Sequence, residues 1–455
     1  MNRRVVRRST LLLAIVVAAT ATTACEIPLP PTYYFVDCTA GNDANAGTSS
    51  TTAWKTLTKA SKATPSPGDS LQLKRGCTWT GQLLDIAWNG TAALPITVGT
   101  YGTGAAPKIK NATYQNVRVS GSYIVVQDLE LAFDVRSRAS CGQPIGDYNG
   151  FVFSGTSHHN TLQRTKISGG TSGVFISSAS HHNKVIENVL TGNNVMKIWN
   201  GNPEAALGAF GVLINGSDNE IASNQFINNT AVCPTKDDWY PSNSVELYLG
   251  SRNSIHHNRS NDRVFSELGS SSAVRATGNT FAYNLFTPTI AHSYFIITRG
   301  AGDTTFGPVP GTIVEHNTTY QTGAGSQGVV CGSGCTSSML TLRSNILWAE
   351  DKALYADDAI IESNNIYWNS AGAPFVQIEK RLSSGGVQVI PISSTSKLAD
   401  PKFTNPATPN FTPRSTSPAV NAGHKAITFT TDLALTPVPQ GGVPDMGSFE
   451  VKTTT

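Results

Sequence analysis

The stretch Asn219-Glu-Ile-Ala-Ser-Asn-Gln-Phe-Ile-Asn-Asn229 holds the phrase that organises this chain: an apolar residue, Ile221, followed three positions later by Asn224. The phrase recurs as Val185/Asn188, Ile255/Asn258, Val314/Asn317, Leu342/Asn345 and Ile361/Asn364, with looser copies at Val125/Asp128, Leu162/Thr165 and Ala276/Asn279. From Asn188 onward the asparagines stand 36, 34, 21, 38, 28 and 19 residues apart. A repeat of this size is the signature of a solenoid, in which each unit buries its apolar face only against the next.

The unit is built of strands. Phe151/Phe153, Val174/Ile176 and Val212/Ile214 alternate at period two, and Gly, Ser, Asn and Thr fill the intervals. A turn of about 20–25 residues carrying three short strands is one coil of a parallel β-helix, with coils stacked about 4.8 Å apart. Asparagines stacked at that spacing bond to one another as a ladder, a structural role. The steps of 34–38 residues then read as one coil plus an inserted loop.

Both ends carry further motifs. Near the start stand Tyr34-Phe-Val-Asp-Cys-Thr-Ala-Gly-Asn-Asp-Ala-Asn-Ala-Gly-Thr48, Ala53-Trp-Lys-Thr-Leu57 and Pro67-Gly-Asp-Ser-Leu71. Near the end stand Leu398-Ala-Asp-Pro-Lys-Phe403, Ser417-Pro-Ala-Val-Asn-Ala-Gly423 and Asp445-Met-Gly-Ser-Phe-Glu450. These segments resemble the opening and closing of secreted right-handed parallel β-helix proteins of the pectate-lyase-like superfamily. The resemblance implies an all-β, single-stranded right-handed parallel β-helix of about ten coils over residues 33–450, irregular caps included. It implies no single activity, because that superfamily spans lyases, hydrolases, epimerases and surface proteins.

Residues 1–24 read as an export signal: Arg3, Arg4, Arg7 and Arg8 form a basic n-region ahead of an apolar stretch over 11–21, too short for a membrane span. Thr22-Thr-Ala-Cys25 has the form of a lipoprotein cleavage site, so a lipid on Cys25 is the one expected link to a membrane, with plain secretion as the alternative. Residues 25–32 form a short linker and 451–455 a tail. The formal charge of +3 is carried by the signal: without its four arginines, 29 basic residues face 30 acidic ones. With no basic stripe, nucleic acid is excluded as the expected partner. Six cysteines besides Cys25 read as disulfides in an exported chain: Cys331–Cys335, Cys38–Cys77 and Cys141–Cys233. Zinc is not expected, because no histidine stands at ligand spacing from Cys331.

Catalytic groups on a β-helix are expected one coil apart on an outward sheet face. Two glutamates sit within strand-like runs, in Ser244-Val-Glu-Leu-Tyr-Leu-Gly250 and Val264-Phe-Ser-Glu-Leu-Gly269. Alternation turns Val245, Leu247 and Leu249 inward and Glu246 and Tyr248 outward; in the second run it turns Val264, Ser266 and Leu268 inward and Phe265 and Glu267 outward. Glu246 precedes Asn258 by 12 residues and Glu267 precedes Asn279 by 12, which predicts one column. Neighbouring carboxylates raise one pKa and suit glycoside hydrolysis, one acting as acid and one as nucleophile or base. In register, the strand gap of about 4.8 Å fits a retaining mechanism. With Gly250 and Gly269 aligned instead, a diagonal of about 8 Å fits inversion.

Three insertions flank the pair. One holds Lys197 and Trp199, a second Asp237, Asp238, Trp239 and Tyr240, and a third His292, Tyr294 and Arg299. With Tyr248 these are the candidate sugar contacts, through ring stacking and hydrogen bonds. Asp237 and Asp238 also offer oxygen ligands to Ca2+, although no cofactor is required by this chemistry. The pairs His158-His159, His181-His182 and His256-His257 recur beside repeat asparagines and read as turn positions. Two other functions compete: a polysaccharide lyase using Lys197, Arg275, Arg299 or His292, and a surface β-helix that only binds glycans. In alginate- and chondroitin-type β-helix lyases, the resemblance implies Lys and Arg where this chain has its glutamates. The expected partner is a polysaccharide or cell-surface glycan, and the sequence marks no oligomer interface.

Overall fold

A computed structural model describes residues 30–134, 146–199, 202–233 and 242–452, with only the backbone described for 197–199 and 202–207. One compact body begins at Thr32. It is a right-handed parallel β-helix walled by three sheets of twelve strands each. One coil runs through Thr161–Gln163 in the first sheet, Lys166–Ser168 in the second and Ser172–Ile176 in the third, and the next returns to the first sheet at Lys184–Ile186. Twelve strands per sheet exceed the expected ten coils, because the N-terminal coils carry no Asn phrase. The last strand of the third sheet, Val387–Ile390, pairs antiparallel with its neighbour.

The interior is a column of fully buried apolar side chains, among them Leu162, Val185, Ile221, Ile255, Phe281, Val314 and Leu342, contributed by successive strands of the first sheet. Where that sheet turns into the second, one residue per coil is left-handed: Glu187, Ser223, His257, Tyr283, His316, Ser344 and Asn364. The residue after each is the ladder asparagine. Asn188, Asn224, Asn258, Asn284, Asn317, Asn345 and Asn365 pass an amide-to-carbonyl bond of 2.9–3.1 Å along the stack. Each side-chain oxygen also takes the backbone N–H of the preceding ladder residue, as in Asn224 N to Asn258 Oδ1 at 2.9 Å. An amide supplies both donor and acceptor at a buried corner where the backbone has left the sheet, and reaches both the next coil and a backbone carbonyl.

Among the described residues there are three such ladders rather than one. Asn160, Asn183, Asn219, Asn253 and Asn279 form another where the third sheet turns into the first. Asn193, Asn229 and Asp262 form a third. Two copies of the phrase are therefore reassigned. Asn279 belongs to the second ladder, and its place in the first is taken by Asn284. Asn364 is the left-handed turn residue, and the buried ladder member is Asn365.

Of the three expected insertions, the first contains the antiparallel pair Lys197–Trp199 and Asn202–Leu207, and residues 234–241 of the second lie outside the described residues. The third is corrected: Tyr294–Arg299 is a regular strand of the third sheet, and the loop comes after it. The C-terminal hairpin Phe403–Asn405/Asn410–Pro413 packs Phe403 and Phe411 against Ile346 and Ile366 on the outside of the second sheet. Cys38–Cys77 and Cys331–Cys335 are disulfides, each with Cα atoms 5.6 Å apart. Cys141, the expected partner of Cys233, lies outside the described residues, as do Cys25 and the signal segment. The second member of each histidine pair occupies a turn, His159, His182 and His257 being left-handed, whereas His256 ends the strand Ser254–His256. His158 stacks on His181 at 5.2 Å and His159 on His182 at 5.0 Å.

Candidate active site

The two glutamates stand on consecutive strands of the third sheet. We number the strands of this region β1 (Phe210–Ile214), β2 (Asn243–Tyr248), β3 (Val264–Gly269), β4 (Tyr294–Arg299) and β5 (Gln327–Gly332). All pair in parallel, and Glu246 is directly opposite Glu267. Leu213 precedes them in the column; Ile297 and Val330 follow. The alternative alignment through Gly250 and Gly269 is overturned, since Gly269 pairs with Tyr248.

The count of 12 residues reached the right register from mismatched anchors. Asn258 and Asn279 stand in different ladders. The residue equivalent to Asn279 is Asn253, seven residues after Glu246. The later coil carries five more residues between its glutamate and that ladder, and the two differences cancel.

The inward–outward assignment also needs three corrections. Val264, expected inward, stands in the column of Asn243 and Tyr294 and is not part of the core cluster. Phe265 is fully buried, its ring among Phe281, Phe286 and Phe295. At the start of each strand of this sheet the coil is still turning, so two successive residues face the core: Ser244 and Val245, Phe265 and Ser266, Phe295 and Ile296. Earlier coils place Gly150, Gly173 and Gly211 at the first of these positions, where a Cβ would collide with neighbouring atoms at 2.2–2.7 Å. Leu249 is left-handed and half-buried, because the strand ends before it.

The broken alternation brings Asn243 to the same side as Glu246, and its Nδ2 donates to Glu246 Oε2 at 2.7 Å. Simple alternation would separate residues three apart, which is why Asn243 was not among the expected site residues. Glu267 has a different partner. The Arg299 guanidinium forms a very short ion pair with Glu267, donates to the Leu268 carbonyl at 2.6 Å, and lies 3.2 Å from Asp303. It sits over the Phe306 ring, 5.6 Å from its centre. Tyr248 meets Phe306 edge-on at 6.2 Å and leans over Gly269, whose missing side chain leaves the room. The loop after β4 thus walls the pair with Asp303 and Phe306.

These surroundings separate the two carboxyls. Enclosure of its carboxyl and the adjacent charge of Glu267 push Glu246 up to about 8, against the opposing pull of the Asn243 bond and of Arg299. Glu246 therefore keeps a proton at neutral pH.

Of the other expected contacts, Tyr248 and Arg299 are brought to the pair. Tyr294 opens β4 in the column of Asn243 and Val264. His292 is left-handed and exposed at the corner before β4, with Gly325 against its ring. The Lys197 and Trp199 side chains and all of Asp237, Asp238, Trp239 and Tyr240 lie outside the described residues. Arg275 donates to the Ser271 and Gly307 carbonyls at 3.0 and 2.6 Å, a loop tether. Along the outer face of the third sheet, Arg118 pairs with Asp85 at 2.5 Å, Lys352 with Asp351 at 3.5 Å and Arg381 with Asp357 at 3.0 Å. Among the described residues, the one group of metal-ligand type is Asp37, Cys38 and Cys77, whose sulfurs are joined in the disulfide.

No protein-family model matches the chain. A stretch of 74 residues, 16% of this chain, is 43% identical to a lacto-N-biosidase of Bifidobacterium longum subsp. longum and spans 5% of that protein. Among solved structures, pectate lyase Pel9A superposes with a TM-score of 0.57 at 15% identity, over 93% of this chain and 97% of that one. A GH136 lacto-N-biosidase from Eubacterium ramulus superposes with a TM-score of 0.51 at 15% identity, over 76% of this chain and 65% of that one. The likeness to these solved structures is one of fold: both are parallel β-helix proteins.

Proposed function

We propose that this chain is an exported carbohydrate-active enzyme, a glycoside hydrolase that cleaves a neutral polysaccharide with retention of configuration. Glu246 is its acid and base, and Glu267 its nucleophile. The observation that carries this reading is the in-register pair with unlike partners, an amide on one glutamate and a guanidinium on the other.

Protonated Glu246 gives its proton to the glycosidic oxygen as the bond to the anomeric carbon breaks. The Glu267 carboxylate attacks that carbon and forms a glycosyl ester. Glu246, now ionised, takes a proton from water, which attacks the anomeric carbon and releases Glu267. A strand gap of about 4.8 Å suits the roughly 5–5.5 Å carboxyl separation of retaining enzymes. Arg299 pairs with Glu267 and aims it, and Asn243 holds one oxygen of Glu246. Tyr248, Tyr294, His292, Trp199, Lys197, Asp237, Asp238, Trp239 and Tyr240 are proposed sugar contacts. The fold is shared with the GH136 lacto-N-biosidase, and the short sequence match is to a protein of the same name.

A uronate substrate needs free cations to meet its carboxylates. On this face Arg118, Arg299, Lys352 and Arg381 already face Asp or Glu, which favours an uncharged glycan and disfavours β-elimination. The disulfides Cys38–Cys77 and Cys331–Cys335 suit export to an oxidising compartment, and a lipid on Cys25 would hold the protein at a membrane surface. The hydrolytic route needs no metal, so chelation of Ca2+ is expected to leave turnover unchanged.

The test is incubation with panels of neutral and uronate polysaccharides, following reducing ends and unsaturated products together. Reducing ends without unsaturation, released as the retained anomer and lost in Glu246→Gln and Glu267→Gln, are expected. Unsaturated products would mean a lyase, and no products across the panel a binding protein. Turnover should fall as pH rises past about 8, where Glu246 gives up its proton.

A further inference from the structure

We propose a second glycan-binding site, around the corner from the carboxylate pair, built from Tyr320, Trp348, Glu350, Ser370 and Thr322. It goes beyond the hydrolase reading and does not depend on turnover. These residues line a cavity of about 470 Å³ where the second sheet bends into the third, together with Ala324 and Gly325. That is the size range of small-ligand sites.

The site is aromatic by register. Tyr320, Trp348 and Trp368 are direct neighbours on three consecutive strands of the second sheet. The Tyr320 and Trp348 rings are 4.9 Å apart and tilted by 57°. Phe411 backs Tyr320 at 5.2 Å, and Phe403 backs Trp348 at 6.3 Å. The rings are thus braced on the C-terminal hairpin while both also line the cavity. Docking that hairpin accounts for the braced side. It does not account for the polar groups on the open side.

There, Trp348 Nε1 donates to Glu350 Oε1 at 3.0 Å and Ser370 Oγ to Glu350 Oε2 at 2.6 Å. The bond fixes the indole plane and leaves a carboxylate at its edge. Tyr320 and Glu350 line the same cavity, and burial, then the Glu350 charge, raises the Tyr320 hydroxyl pKa. Thr322 stands exposed on the rim. Oriented ring faces beside a fixed acceptor match the two surfaces of a sugar, its C–H face and its hydroxyl edge. A carboxylate on the rim selects against polyuronates. The cavity begins at the corner of the coil after that of Tyr294, with Gly325 against the His292 ring, so one long chain can span cavity and groove.

The experiment uses the full chain carrying Glu246→Gln and Glu267→Gln, in affinity electrophoresis through gels cast with galactomannan, xylan, arabinogalactan or alginate. Retardation in at least one neutral gel and not in alginate is expected. Ser370→Trp, which fills the cavity without touching the braced side, should weaken that retardation at least fivefold with an unchanged thermal midpoint. Thr322→Trp, on the opposite rim, should do the same and serves if Ser370→Trp fails to fold. Undiminished retardation in both variants would overturn the proposal, as would no retardation of the parent in any neutral gel. Because the parent is inactive, these outcomes are separate from success or failure of the hydrolase reading.

Discussion

The Asn188–Asn365 ladder and the Glu246/Glu267 pair are products of one geometry. Each stacks like residues on neighbouring coils, and each lies where side chains are held in line by parallel register. The outcomes are opposite because an amide is both donor and acceptor and a carboxylate only accepts. Stacked asparagines satisfy one another at 2.9–3.1 Å. Stacked glutamates repel, and the fold answers by giving each its own partner and leaving one protonated. Asp262 marks the boundary between the two cases. It ends the third ladder as a pure acceptor, taking bonds from the Asn229 amide and the Ser244 hydroxyl, and burial raises its pKa.

The largest expected effect is on the pair. Glu246→Gln and Glu267→Gln should each lower kcat by about 10²–10⁴-fold with an unchanged circular dichroism spectrum; normal turnover in both would reduce the pair to surface glutamates. Next comes a ladder residue made to resemble the pair. Asn258→Asp puts an acceptor-only group where Asn258 donates to Asn284 and to the Ile221 carbonyl. It should cost about 3–5 kcal/mol in urea unfolding at pH 8, and less at pH 4, where the buried carboxyl regains its proton. Arg299→Gln should reduce turnover about 10–100-fold, the worth of a charge-assisted bond, while leaving stability nearly unchanged.

A smaller effect tests the sign of the Glu246 perturbation. A carboxyl that is protonated in the folded protein and ionised in the unfolded chain makes stability fall as pH rises. For Glu246 this window runs from the ordinary glutamate range near 4.5 up to about 8. Glu246→Gln removes that loss, so the variant should gain on the parent steadily from pH 5 to pH 8 in denaturant midpoints. The smallest effect is expected at the stacked, exposed His159 and His182, where alanine should shift stability by about 0.5 kcal/mol or less.

Much of this was legible in the chain. The Asn phrase, the alternating Phe151/Phe153 and Val212/Ile214, the end motifs and the Cys331–Cys335 loop all depend on local chemistry or a strict repeat. Two things were not. Asn243 faces Glu246, and Phe265 faces the core, because the start of each strand in the third sheet turns two successive residues inward. Asn364 and Asn365 are adjacent in sequence, yet only the second is in the ladder, because the first takes the left-handed turn.

By itself the sequence determined that a solenoid of short parallel strands forms and that two glutamates fall on neighbouring strands. Periodicity and side-chain chemistry reach that far, since each coil repeats the same local problem. Only the tertiary structure decided the register, the partners and the division between the two carboxyls. Those depend on loop lengths between coils and on Arg299, 32 residues beyond Glu267, and no local pattern encodes which group a neighbouring coil will deliver.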